Sequence, residues 1–460
     1  MSPRLHNLPY HPDSTVLFEA IRDLPWPVFL DSGYPDSTQG RYDILAAGPS
    51  HRLVTRDGVT EIYHRDQPLT TSVDPLATLR ELLGPPVSPF GDDLPFHGGA
   101  IGYLGYDLAG CWLPVKLQAG TQSRLRLPDM LMGVYDWAVV VDHQRQSRCL
   151  VSAGADPQTE RLWPELIARL SRCEPSTGEI SPPQPSEIMP HLTRRDYGER
   201  FRRIQRYIRD GDCYQVNFAQ RFTIPALSDP WELFRRLRKV NAAPYSAYLE
   251  YPMGTVLSSS PERFLKLQGD RVETRPIKGT RPRSPDPRLD AELRLALSES
   301  PKDRAENVMI VDLLRNDLGR VCRTGSIQVP ELFQVESFAA VHHLVSTITG
   351  RLAPGFDALD LLRACLPGGS ITGAPKLRAM QIIQELEDSP RGIYCGSIAY
   401  LDRSGAMDSN IAIRTLTVQD GEVEFRVGGG IVADSDEAHE YQETLDKAEA
   451  IFRALGRYPG

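Results

Sequence analysis

The chain has little that would tie it to a membrane, a disulfide scaffold or a nucleic acid. No run of eighteen or more apolar residues occurs, which predicts no transmembrane helix. The first residues, MSPRLHNLPYHPDST, lack the apolar core of a signal peptide. The seven cysteines lie at 111, 149, 173, 213, 322, 365 and 395, and none forms a CxxC pair. An odd count at wide spacing predicts reduced thiols and a cytoplasmic protein, not disulfides or a zinc site. A net charge of −8 removes the basic surplus that a nucleic acid or an anionic membrane would require. No internal repeat recurs at a fixed period.

What is present reads as a globular protein of 460 residues, 41% hydrophobic and 24% charged. That length holds about two or three average domains, or one large interlocked body. A short helix is predicted over 14–22 and strands over 27–30, 41–47, 51–56 and 59–64, with Asp57-Gly58 turning a hairpin. Asp74-Pro75 opens a helix that Gly84 ends. Residues 131–152 are β-rich, and a helix is predicted near 157–171. The segment 173–190 has five prolines and reads as a linker between an N-terminal region, 1–172, and a second region, 191–456. Beyond it, Thr193 with Asp196, Asp229-Pro230, Ser300-Pro301 and Pro375 each open a helix. Strands over 396–401, 411–418 and 422–427 read as a meander, followed by a helix from about 436 to 455. Strands and helices without a βαβ rhythm predict an α+β fold, with antiparallel sheets covered by helices.

Chemistry concentrates at Pro276-Ile277-Lys278-Gly279-Thr280-Arg281-Pro282-Arg283. Proline stiffens the backbone before the lysine, and glycine permits a close approach after it. Such a turn presents a cation to a small anion; it serves equally as a solvated basic turn. Glu440, Glu443 and Lys447 project from one helix face at i, i+3 and i+7, a pattern that on a surface helix is a ladder of salt bridges. Glu306 stands beside the apolar run 308–311 and needs a partner. Two glutamates from different helices, with few other protein ligands, suit magnesium.

The PIKGTRPR stretch resembles the active-site signature of the chorismate-utilising enzymes. Further matches follow in order: GDCYQVNFAQRF (211–222), SSSPERFL (258–265), AENVMIVDLLRNDLGR (305–320), HHLVSTITG (342–350), GGSITGAPKLRAM (368–380), NIAIRT (410–415), GGGIV (428–432) and EYQETLDKA (440–448). They span about 193–455, and the N-terminal part matches more weakly, through LDSGYPDSTQGRYDI (30–44). The resemblance implies the antiparallel fold of anthranilate synthase component I. Lys278 points to the branch that aminates chorismate at the carbon carrying the ring hydroxyl, for para-aminobenzoate and folate biosynthesis. Its anthranilate synthase relatives usually carry a small residue there. By the same resemblance Lys278 is the nucleophile and Glu262 the general acid, and His343 faces the ring. Glu306 and Glu443 hold Mg²⁺, with Glu440 a second contributor. Arg414 and Tyr394 take the enolpyruvyl carboxylate. Ser370, Thr280, Lys447 and the backbone of Gly428, Gly429 and Gly430 complete the pocket.

No GxCxG turn of a glutamine-hydrolysing domain surrounds any of the cysteines, so the resemblance implies ammonia from a separate amidotransferase subunit, in a heterodimer. Ser32, Gln39, Gly40, Arg41 and Tyr42, with Pro244, Tyr245 and Ser246, align with the family's tryptophan pocket. Anthranilate, isochorismate or salicylate synthase chemistry, and a non-catalytic tryptophan-binding subunit, are the competing readings. Lys278 argues against anthranilate synthase; Glu262, Lys278, Glu306 and Glu443 together argue against a chain without catalysis.

Overall fold

A computed structural model describes residues 2–456 except 38–39, 73, 92, 116, 118–125, 173–187, 225–228 and 339–340. Two antiparallel sheets of twelve strands each stack face to face, with helices on their outer faces, in an α+β fold. Among the described residues no helix is long and apolar enough to cross a membrane.

Period-two alternation builds the layers. In the first sheet Val28, Ile44, Ala138 and Val140 point to the space between the sheets, while Phe29, Leu45, Val139 and Val141 point to the outer helices. In the second sheet Ile101, Tyr103 and Leu131 point inward, and Ala100, Leu104 and Met132 point outward under the Pro301–Leu318 and Ala358–Cys365 helices. These central strands are thus apolar on both faces, as in any sheet buried on both sides.

The regions before and after the 173–190 segment share these sheets. Val28–Asp31 pairs with Tyr245–Tyr251 in the first, and Gly99–Leu104 pairs with Ser397–Asp402 in the second. They form one interlocked core. Of the expected linker, 173–187 lies outside the described residues, and Met189–Pro190 pairs with Phe222 and Thr223 at the edge of the first sheet.

The capped helices form where their start signals stand. The Asp74 side chain caps Pro75–Leu83, Thr193 and Asp196 close a capping box on Arg194–Arg209, and the Ser300 side chain caps Pro301–Leu318. Pro287–Glu299 is an additional helix: Asp286 caps it and Pro287 opens it, but it lacks an apolar face, with Leu297 its one buried residue. The expected meander is corrected by the topology. Ser397–Asp402 belongs to the second sheet, whereas Thr415–Gln419 and Glu422–Ile431 belong to the first. The chain crosses from sheet to sheet at Ile411–Arg414. It makes the reverse crossing between Gly254–Ser260 and Arg263–Gln268. These two crossings lie side by side: Ser260 Oγ donates to the Ile411 carbonyl at 2.6 Å, and Ile411 N–H donates to the Glu262 carbonyl at 3.0 Å.

Candidate active site

The crossings set two charged side chains where neither sheet claims them. Glu262 lies in the crossing between Ser260 and Arg263 and is 4% exposed. Its Oε1 accepts a 2.7 Å hydrogen bond from Ser370 Oγ. Burial pushes its carboxyl up to about 7, against the opposing pull of Ser370, Lys278 and the Ile277 N–H. Arg414 ends the second crossing with a left-handed backbone, φ 50°. Burial lowers its pKa with no offsetting carboxylate. Its guanidinium makes one hydrogen bond, at 3.3 Å to Asn241 Oδ1, and no ion pair among the described residues.

Lys278 lies on the edge strand Ile277–Pro282, whose register against Val341–Arg351 slips between Ile277 and Thr280. Such a bulge re-aims a side chain out of the ladder. Gly279 within it has φ 85°, and a Cβ there would lie 3.0 Å from Asp303 Oδ1, so the turn requires glycine. Lys278 is half-buried, acts on Glu262, Glu306 and Glu443 through its charge, and forms no hydrogen bond or ion pair among the described residues. Beside it, Thr280 Oγ1 and His343 Nδ1 lie 2.9 Å apart. Burial first, and the Arg414 charge next, lower the His343 pKa to about 3, so the imidazole is neutral. Its Nε2 is buried and has no hydrogen-bond partner among the described residues.

Glu306, on Pro301–Leu318, and Glu443, on Glu437–Ala454, come from two helices. Burial raises the Glu306 pKa, and Glu443 is among the charges that push it the same way. The Lys447 ammonium lowers that of Glu443, which it pairs at 2.6 Å, and also donates to the Gly428 carbonyl at 3.0 Å. Glu440 is buried, accepts from Ser435 Oγ at 2.6 Å, and is raised by burial and by Glu443. Gly429 borders both: a Cβ there would lie 3.0 Å from Glu440 Oε2 and 3.6 Å from Glu443 Oε1. No three His, Cys, Asp or Glu side chains close a metal cage among the described residues. Repelling carboxylates around a missing Cβ fit a hard divalent cation that keeps open positions.

Gly428, Gly429 and Gly430 pair on one side with Ala219, Phe218 and Asn217; the hairpin partner Thr415–Gln419 does not reach them on the other. Alternate N–H groups therefore stay free of the ladder. Tyr394 is buried against Arg391, whose guanidinium lies 5.6 Å from its ring, and its hydroxyl pairs with the Cys395 thiol. Sequence reading passed over Gln215. It is wholly buried, neither amide atom has a partner, and a Cβ at Gly430 would lie 3.0 Å from its Nε2. A polar residue at the head of a strand that runs buried throughout was the available signal.

The N-terminal candidates border a different cavity, of about 310 Å³, between the sheets. Gly40, Arg41, Tyr42, Pro244, Tyr245 and Ser246 line it together with Asp31 and Arg263. Ser32 does not: it is buried behind Gly40, where a Cβ would lie 2.3 Å from the Ser32 carbonyl oxygen, and its N–H donates to Asp43 Oδ1 at 2.7 Å. Gln39 lies outside the described residues.

Known proteins agree with this architecture. The profile of the chorismate binding enzymes matches residues 29–453. Aminodeoxychorismate synthase component 1 of Klebsiella aerogenes is 48% identical, over 99% of each chain. The protein of the same name from Escherichia coli (strain K12) is 46% identical, again over 99% of each. The crystal structure of anthranilate synthase component I from Streptococcus pneumoniae TIGR4 superposes with a TM-score of 0.80 at 33% identity, covering 90% of this chain and 92% of its own. With two crossings that carry a buried acid and an arginine without an ion pair among the described residues, and a match running from the first sheet to the last helix, the chain belongs to the chorismate binding enzymes.

Proposed function

We propose that the chain acts as its full-length relatives are named, aminating chorismate to 4-amino-4-deoxychorismate, the precursor of para-aminobenzoate. One observation carries the reading. A buried carboxyl, with its pKa raised to about 7, lies within the electrostatic reach of a lysine on a bulged strand that forms no ion pair among the described residues.

The neutral Lys278 amine adds to the ring carbon next to the one bearing the carboxylate. The double bonds shift, the carbon–oxygen bond at the hydroxyl-bearing carbon breaks, and Glu262 donates the proton that makes the leaving group water. Ammonia then attacks that carbon, the double bonds shift back, and the lysine leaves with its electron pair as a neutral amine. The extra proton on the new amino group returns to Glu262. The sum is chorismate plus ammonia giving product plus water, with the enolpyruvyl group retained.

Arg414 would hold the enolpyruvyl carboxylate through its planar fork, and the neutral His343 offers its free Nε2 to the ring side. Glu306 and Glu443 would hold Mg²⁺, with Glu440 behind them, and the ion would neutralise the ring carboxylate of the substrate. Ammonia comes from a partner amidotransferase component, as the name "component 1" of the relatives implies. We assign the cavity between the sheets to tryptophan, on its volume and its mixture of tyrosine rings and charged groups. Tryptophan held as a structural ligand should copurify and resist dialysis; a protein that neither carries nor titrates tryptophan in calorimetry sinks that assignment.

The test is to incubate the purified chain with chorismate, Mg²⁺ and an ammonium salt, without glutamine, and to identify the product by mass. Replacement of one hydroxyl by an amino group is expected. Anthranilate, isochorismate or salicylate would overturn the reading.

A further inference from the structure

We propose that Asn241 is a positioning residue for the substrate: it aims the Arg414 guanidinium without neutralising it. This rests on the reading of Arg414 as the group that takes a carboxylate of chorismate. Asn241 caps the C-terminus of the Pro230–Val240 helix, with its N–H donating to the Leu237 carbonyl. Its side-chain Nδ2 donates to Ser259 Oγ at 2.5 Å and to the Ser259 carbonyl at 3.3 Å. Ser259 Oγ donates in turn to the Asn241 carbonyl at 2.6 Å. With its nitrogen spent on Ser259, the amide has one free end, Oδ1, and that end meets Arg414 Nη1.

Ser259 also holds the other end of the arginine, donating its N–H to the Arg414 carbonyl at 3.1 Å. This matters because Arg414 adopts φ 50°, a left-handed conformation that is unfavourable for a residue with a Cβ. Such a conformation persists where the surroundings over-determine it. Asn241 and Ser259 are those surroundings, one on the side chain and one on the backbone.

The chemistry of the acceptor is the second half of the inference. An amide oxygen at 3.3 Å steers a guanidinium and leaves its charge intact. A carboxylate in the same place would form an ion pair, strengthened by burial, and would compete with the substrate's own carboxylate. Asparagine is therefore the residue type that orients this arginine and keeps it available.

The test uses the full chain with Asn241→Ala and Asn241→Asp, reading chorismate affinity by calorimetry, KM and kcat with ammonium salt, and thermal midpoint. Asn241→Ala should weaken chorismate binding about tenfold, equal to about 1.4 kcal/mol, with kcat within about threefold. Asn241→Asp should weaken it more, by about a hundredfold at pH 8. That excess over alanine should shrink as pH falls and the new carboxyl takes up its proton, a response that a merely structural residue would not give. Wild-type affinity in the aspartate variant at pH 8, or losses confined to the thermal midpoint, overturn the proposal. Should neither variant fold, Ser259→Ala releases the pinned amide, and unchanged chorismate affinity there overturns it equally. A wild-type chain that binds chorismate but yields another product would sink the proposed reaction and leave the role of Asn241 readable; one that binds no chorismate sinks both.

Discussion

Glu262 and Arg263 are neighbours in the chain and belong to different sites, and the two sites treat charge differently. On the side of Glu262, the acid, Lys278 and Arg414 have no ion-pair partner among the described residues. On the side of Arg263, the arginine binds Asp408 at 3.0 Å and Glu273 at 2.7 Å, Arg41 binds Asp142 at 2.7 Å and Asp93 at 3.1 Å, and Asp31 binds Arg238 at 2.9 Å. Paired charges solvate one another and fix the walls between the sheets. A buried charge left alone costs free energy, so a fold that keeps several together reserves them for a ligand that brings the missing charges.

The widest break in that contrast should come from Lys278→Ala. Formation of 4-amino-4-deoxychorismate should fall by at least about a thousandfold, some 4 kcal/mol of barrier, while chorismate affinity stays within about tenfold. Residual product should shift toward amination at the carbon the lysine would have attacked, as far as anthranilate. Wild-type turnover in that variant would make Lys278 a positioning charge.

Glu262→Gln comes next, with a loss of about a hundred- to ten-thousandfold in kcat. The wild-type acid must be protonated to act, so kcat/KM should fall as pH rises through about 7, and the glutamine variant should lack that limb. Because the folded pKa is raised, the stability its proton contributes is full below the unfolded value and lost as pH climbs through about 7. Urea titrations should show a flatter pH dependence in the variant; identical slopes would place Glu262 in a wetter site.

Glu443→Gln removes one ligand charge and should raise the half-saturating Mg²⁺ concentration about tenfold, with kcat at saturation within about tenfold. An unchanged Mg²⁺ titration would detach this glutamate from the cation. The smallest effect on activity belongs to the other site. Arg263→Ala strands Asp408 and Glu273 and should cost about 1–3 kcal/mol of stability, yet leave KM for chorismate within about threefold. A large KM change there would erase the division between the two sites.

Much of the proposed catalytic site is legible along the chain because its residues sit in dense local motifs. Lys278 between Ile277 and Gly279, Glu262 after Ser-Pro, and Glu443 one turn before Lys447 each announce a charged group whose neighbours restrict its backbone or share its helix face. The cavity between the sheets was less legible. Ser32 looks like its neighbours in sequence yet turns behind Gly40, since which way a loop side chain faces depends on what packs against it. Gln215 and Asn241 escaped notice for the same reason. An amide carries no periodic signal, and its importance lies in which partners are absent for one and present for the other.

The sequence alone determined the composition class, the capped helices, the alternating strands and the candidate charged residues, because each is encoded within a few neighbouring positions. The tertiary structure decided what no local pattern can encode: that strands from both ends of the chain share two sheets, that 397–402 and 415–419 part company across a crossing, and that the crossing carrying Glu262 lies beside the one carrying Arg414. Sheet pairing is a contact between distant segments, and a burial environment exists once those segments have come together. The raised pKa of Glu262, and the burial of Arg414 without an ion pair among the described residues, are properties of that assembly, not of either residue.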